Sequence, residues 1–113
     1  MIPPFLRRLA LALLLSLALV GGAVGAPVIA WGSNGYGQCD VPEGLEAAQV
    51  SGGLSHSVAL LENGTVVAWG DNSKGQCDVP AGLVATQIVA GDEHTLALLE
   101  NGTVVAWGDN SKG

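Results

Sequence analysis

Charge is scarce in this chain. Only 12% of its 113 residues are charged, and only four of those are basic. Two of the four, Arg7 and Arg8, sit beside an apolar N-terminal run, which leaves Lys74 and Lys112 against ten acidic residues in the remainder. A body of net charge −8 repels phosphate backbones, so no nucleic-acid partner is expected. Cysteine is limited to Cys39 and Cys77, with no His or further Cys at ligand spacing, which makes a poor zinc site. No acid, Ser or Cys partner sits at a triad-like position to a histidine beyond what the repeat supplies, and no paired carboxylates occur outside repeat-equivalent positions. These absences point away from an enzyme and from any cofactor or metal. Apart from one leader-like run, there is no apolar period of 3.6 residues, so a helical repeat is excluded.

That run is the first positive feature. "MIPPFLRRLALALLLSLALVGGAVGA" places two arginines before an apolar stretch, 9–20, that gives way to small residues. It reads as a signal peptide over 1–26, cleaved after Ala23 or Ala26, and implies a secreted or periplasmic protein. Twelve helical residues span about 18 Å, short of the roughly 30 Å hydrocarbon core of a membrane. No membrane association is expected once the leader is removed. No cysteine follows it to carry a lipid anchor.

The remainder is a repeat. Trp31, Trp69 and Trp107 are spaced by 38 residues, as are Cys39 and Cys77, and His56 and His94. Residues 28–65 and 66–103 share 24 of 38 positions, and a partial third copy occupies 104–113. Seventeen residues, "ALLENGTVVAWGDNSKG", recur verbatim at 59–75 and 97–113. A fixed period of 20–50 residues signals a solenoid, a propeller or an array.

Asn63-Gly64 lies between two β-rich runs and predicts a hairpin with a type I′ turn. "QVSGG" and "QIVAGD" read as further short strands, with glycines where backbones crowd together. "GQCDVP", at 37–42 and 75–80, reads as an edge strand ended by proline. Four short antiparallel strands per 38 residues make one propeller blade. The expectation is an all-β fold: about two and a quarter four-stranded antiparallel blades of a partial β-propeller, preceded by a signal-peptide helix.

Several signatures recur at fixed phase: Trp69-Gly70, Asn72, Gly75-Gln76, Val79-Pro80, Ala90-Gly91, His94, Ala97-Leu98 and Gly102-Thr103. Together they resemble the repeat of the regulator-of-chromosome-condensation family. The compact form with a leader is similar to secreted bacterial members, among them a propeller that inhibits β-lactamases. The resemblance implies a ring of about seven blades. Two repeats and a stub fall short of it, so either missing repeats or self-association is expected to complete the propeller. An exported chain is not expected to have the exchange-factor activity of the nuclear relatives.

Residues shared by the repeats are read as scaffold. His56 and His94 are assigned a structural task, and the cysteines are expected as semi-buried thiols. "DNSKGQCD" departs from the calcium-loop pattern, and the Asn-Gly-Thr sequons are explained by the hairpin. Function is placed where the repeats differ, because variable loops on a rigid scaffold carry specificity. "SNGYG" stands opposite "DNSKG", and "GLSH" opposite "GDEH". The candidate partner-binding residues are therefore Asn34, Tyr36, Asp71, Asn72, Ser73, Lys74, Asp92 and Glu93. The expected function is a non-enzymatic scaffold that binds a protein through its blade loops. The alternatives are an inhibitor of an exported enzyme such as a β-lactamase, and a structural array of the cell envelope.

Overall fold

A computed structural model describes residues 25–113. The leader expected over 1–26 lies almost wholly outside them. Among the described residues, eight antiparallel strands form three sheets: β1 (Ala26–Pro27) with β2 (Glu46–Ala47), then β3 (Gln49–Gly52), β4 (His56–Leu60) and β5 (Val66–Gly70), then β6 (Gln87–Ala90), β7 (His94–Leu98) and β8 (Val104–Gly108). The two three-stranded sheets are successive blades, built on the same register 38 residues apart.

Alternation along each strand sorts the side chains. In the first blade His56, Val58 and Leu60 pair with Gly70, Ala68 and Val66, so all six share the face turned to the second blade. That blade answers with Ala85, Ile88 and Ala97. The apolar core thus lies between the blades rather than inside either one. β1 and β2 belong to the same kind of junction. The Ala85 N–H donates to the Gly64 carbonyl (2.9 Å) between the blades, and Ala47 pairs with Ala26 one repeat earlier.

Two local expectations are revised by the structure. The hairpins form at Asn63-Gly64 and Asn101-Gly102, but not with type I′ turns. No non-glycine residue among those described has positive φ, whereas Gly64 has φ +86° and Gly102 φ +85°. The Gly64 N–H donates to the Leu61 carbonyl (3.0 Å) and the Leu61 N–H to the Thr65 carbonyl (2.8 Å). This is a three-residue loop, a type I turn followed by a left-handed glycine. The Asn63 side chain accepts from the Thr65 N–H (3.0 Å), which holds the asparagine itself right-handed.

The expected fourth strand is a run of turns. Asn72 Oδ1 accepts from the Cys77 N–H (2.8 Å), and Asn72 Nδ2 donates to Asp78 Oδ1 (2.8 Å). The Gly75 and Asp78 N–H groups bond back to the carbonyls of Asn72 and Gly75. Asn34 repeats this with Cys39 and Asp40. The Cys77 N–H goes to a short polar side chain and the Gly75 and Asp78 N–H groups to nearby carbonyls, donors that a ladder would use. The propeller architecture stands, with three ladder strands per blade among the described residues.

The verbatim repeat shows what sequence leaves open. Val66 is 6% exposed and its counterpart Val104 is 61% exposed. Gly64 is buried and Gly102 is exposed. A Cβ on Gly64 would meet Val84 Cγ1 at 2.5 Å and the Ala85 carbonyl at 3.1 Å, but one on Gly102 would meet nothing within 4 Å. Gly102→Ala is expected to cost only the left-handed strain, about 1–2 kcal/mol. Gly64→Ala is expected to cost clearly more. Chemical denaturation of the two variants measures the difference, and equal losses would show that the blade contact at Gly64 is not tight.

Candidate functional site

The register gathers four of the variable segments at one end of the blades. His56 pairs with Gly70 and Gly52 with Ser57, so loop 53–55 and loop 71–75 leave the first sheet side by side. The Asp71 N–H donates to the Ser55 carbonyl (2.8 Å), and the Asp109 N–H to the Glu93 carbonyl (2.9 Å) in the second blade. The Leu54 N–H donates to the Asp92 carbonyl (3.2 Å) and ties one blade's loop to the next. The invariant Asn-Gly hairpins occupy the opposite end. The variable segments 33–37, 53–55, 71–75 and 91–93 are therefore on one rim, while the differences at 46/84 and 48/86 lie toward the hairpin end.

The candidate residues divide by what their side chains do there. Asn34 and Asn72 close their own loops, as described. Asp71 accepts from the Ser73 N–H (3.0 Å) and hydroxyl (3.1 Å), and from Gln76 Nε2 (3.3 Å). The Ser73 N–H bond, with further hydrogen bonds, holds the Asp71 carboxyl below its ordinary range. The equivalent Ser111 bonds act likewise on Asp109. The N–H of Lys74 is held by Gln76 Oε1 (2.9 Å), while its side chain is exposed. Tyr36 is 61% exposed, its N–H held by Gln38 Oε1 (2.9 Å). Asp92 is exposed and Glu93 partly so. The constant polar atoms thus shape the loops, and Tyr36, Lys74 and Asp92 project from them.

Beneath this rim runs a buried polar line. The Thr95 hydroxyl donates to the Gln76 carbonyl (2.8 Å), and Trp107 Nε1–H donates to the same oxygen (3.0 Å). Thr95 has only that one proton, so it accepts from His56 Nε2–H at 3.0 Å. This fixes the His56 tautomer, with Nδ1 unprotonated and, among the described residues, without a hydrogen-bond partner. One repeat earlier, the Ser57 hydroxyl (2.8 Å) and Trp69 Nε1–H (2.9 Å) converge on the Gln38 carbonyl. The bond from His56 to Thr95 crosses the blade junction. A Cβ on Gly53 would collide with the His56 ring and the Gly91 carbonyl, in keeping with glycines where backbones crowd.

The two histidines, equivalent in sequence, differ in setting: His56 is 1% exposed and His94 is exposed. Gln76 and Thr95, both fully buried, are structural residues that the sequence reading passed over. The signal available was the constancy of Gln38 and Gln76 beside a Ser57/Thr95 pair that keeps the hydroxyl. Both cysteines are free. Cys39 Sγ donates to the Ser33 carbonyl (3.1 Å) and Cys77 Sγ to the Asp71 carbonyl (3.3 Å). Burial, with Asp71 and Asp78 nearby, pushes the Cys77 thiol up. Among the described residues, no three His, Cys, Asp or Glu side chains cluster as metal ligands.

His56→Ala should cost roughly 2–4 kcal/mol, from a lost junction bond and a cavity. His94→Ala should stay within about 0.5 kcal/mol. Urea unfolding of both variants checks the contrast. Burial holds the His56 imidazole below its ordinary 6.5, outweighing the opposing effects of the His94 backbone and Asp71. The unfolded chain therefore takes up this proton first as pH falls. The stability tied to neutral His56 is complete above about pH 6.5 and is lost below it, at no more than about 1.4 kcal/mol per pH unit. The lowered Asp71 and Asp109 act further down, below 3.8. Melting temperature against pH should show the upper step in the wild type and lack it in His56→Gln.

Comparison with known proteins places this geometry. The chain is similar to the receptor kinase CR4 ectodomain of Physcomitrella patens, at 30% identity and a TM-score of 0.65, over 75% of this chain and 24% of that one. It is similar to the C-terminal domain of gp131 from bacteriophage phiKZ, at 30% identity and a TM-score of 0.54, over 58% and 18%. Prp20p of Saccharomyces cerevisiae, whose binding properties to Gsp1p and histones are described with its structure, shares the fold at 24% identity and a TM-score of 0.54, over 75% and 20%. The chain thus spans about a quarter or less of each of these structures. No curated protein sequence matches it significantly. The model of the regulator of chromosome condensation (RCC1) repeat matches residues 47–76 and 85–113, just over half of the chain. With two blades in register and the repeat matched in each, the chain belongs to the RCC1 repeat family.

Proposed function

We propose that this protein is a non-enzymatic, exported scaffold that binds a protein partner through the variable rim of its blades. One observation carries the reading: the loop segments 33–37, 53–55, 71–75 and 91–93, which differ between the repeats, converge on one end, where Asn34 and Asn72, constant between them, are engaged in internal bonds. Tyr36 supplies an exposed aromatic of the kind favoured as an interface anchor. Asp71, Asp92, Glu93 and Asp109 on the same rim outnumber Lys74 and Lys112, which suits a partner with a neutral or basic surface. Prp20p, which shares the fold, is described with its binding to Gsp1p and histones; the identity of a partner does not carry over from it. Export rests on the leader-like stretch at 1–26. Intact mass of material from outside the cytoplasm should show a chain without residues 1–23. A mass that includes Met1 would remove the export part of the reading.

The rim is tested by placing a photo-crosslinking residue at Tyr36 or Asp92, and in parallel at Glu62 or Glu100 on the hairpin end. A discrete protein adduct is expected from the rim positions alone. The same adducts from both ends, or none from the rim, would contradict the proposal.

A further inference from the structure

Resting on the rim proposed above, we infer that the loops over the blade junction take a protein segment in which an apolar side chain stands beside a lysine or arginine. Leu54 is the apolar anchor, and Asp92 and Glu93 meet the cation.

Leu54 is 66% exposed and stands outside the core cluster. Of the other exposed large apolar residues, Val50, Val89 and Val104 lie on strands, and Val84 lies against the Gly64 hairpin. Tyr36 and Leu54 are the two in the variable rim loops. A single exposed leucine is common on protein surfaces. This one differs because its backbone is held in place while its side chain is not. The Gly53 N–H donates to the His56 carbonyl (2.8 Å), and the Leu54 N–H donates to the Asp92 carbonyl of the next blade (3.2 Å). A side chain carried on a fixed backbone is presented without the ordering cost of a mobile loop. The scaffold does not require leucine here, since Asp92 occupies the same position of the second repeat.

The hydrogen bond that fixes Leu54 also brings the charge. Asp92 gives it a backbone carbonyl and keeps its own side chain exposed, and Glu93 follows, partly exposed. The Asp71 N–H is held by the Ser55 carbonyl, so a third carboxylate borders the same loop. That carboxylate is engaged by Ser73 and Gln76, which leaves Asp92 and Glu93 to meet a partner. Loops 53–55, 71–75 and 91–93 together hold these three acids against Lys74. Such a surface repels the phosphates of nucleic acids and anionic lipids, and it complements a cationic side chain with an apolar neighbour. The loops belong to the two described blades and lie on the junction between them, so the surface is formed by residues that are in place on both sides.

Panning a library of random linear peptides on the full chain tests this. Enriched peptides are expected to carry an apolar residue next to Lys or Arg, and to bind more weakly as salt is added. Leu54→Asp should weaken them by about tenfold or more, and Asp92→Asn by roughly threefold. Glu62→Gln, at the hairpin end, should leave them unchanged. Leu54→Asp copies the residue that the second repeat has at this position, so the loop accommodates it, and circular dichroism verifies the fold. Enriched peptides without a basic residue would overturn the inference. So would peptides that bind Leu54→Asp as tightly as the wild type, or a selection that enriches none. Should such peptides still block crosslinking from Tyr36 or Asp92, the rim would stand as a binding surface with a different partner chemistry. Peptides lost in Glu62→Gln alone would contradict both.

Discussion

The structure depends on one constraint: a three-stranded blade has an apolar face that it cannot cover by itself. Six buried residues form the core, three from each blade, and neither trio would be buried if the other blade were removed. Burial of apolar surface is the main favourable contribution to folding, at about 25 cal/mol per Å². Here that contribution is realised at the junction. The verbatim repeat demonstrates it, because the same valine is buried at 66 and exposed at 104. Position in the stack, rather than local sequence, decides the environment of each side chain.

The junction is not only apolar. His56, Thr95, the Gln76 carbonyl and Trp107 form a buried line of directional bonds. Such bonds add modest net stability but leave costly unpaired groups when the blades are misaligned. The line therefore sets blade register, which the apolar contacts leave loose. It also passes directly under the rim. Gln76 Oε1 holds the Lys74 N–H, and its Nε2 reaches Asp71. The geometry of the variable loops is fixed by the same residue whose carbonyl anchors the next blade.

Much of this was legible in the sequence. The 38-residue period, the hairpins at Asn63-Gly64 and Asn101-Gly102, and the strand runs gave the all-β propeller and its family. What was missed was decided by competition between nearby groups. The Asn63 side chain bonds the Thr65 N–H and leaves only Gly64 left-handed, so the two-residue turn became a three-residue one. Asn72 and Asn34 captured the Cys77 and Cys39 N–H groups, and turn carbonyls took other donors, in the segment read as a fourth strand. Of the candidate site, the grouping of "DNSKG" with "GDEH" on one rim follows from β pairing, which spacing alone does not state. The unequal fates of His56 and His94 were illegible for a different reason: they differ in neighbours and not in sequence.

From Leu60 and Leu98 onward, the identical stretches ending at Gly70 and Gly108 have the same intrinsic hydrogen-exchange chemistry, so a difference in protection reports the setting of each blade and not its sequence. Amide exchange followed by NMR in dilute solution is the most direct measurement. Slower exchange is expected for Leu60 and Val67 than for Leu98 and Val105, by an order of magnitude or more. Equal protection in the two copies would contradict the account, because it would mean that each blade is held by its own sequence and not by its neighbour.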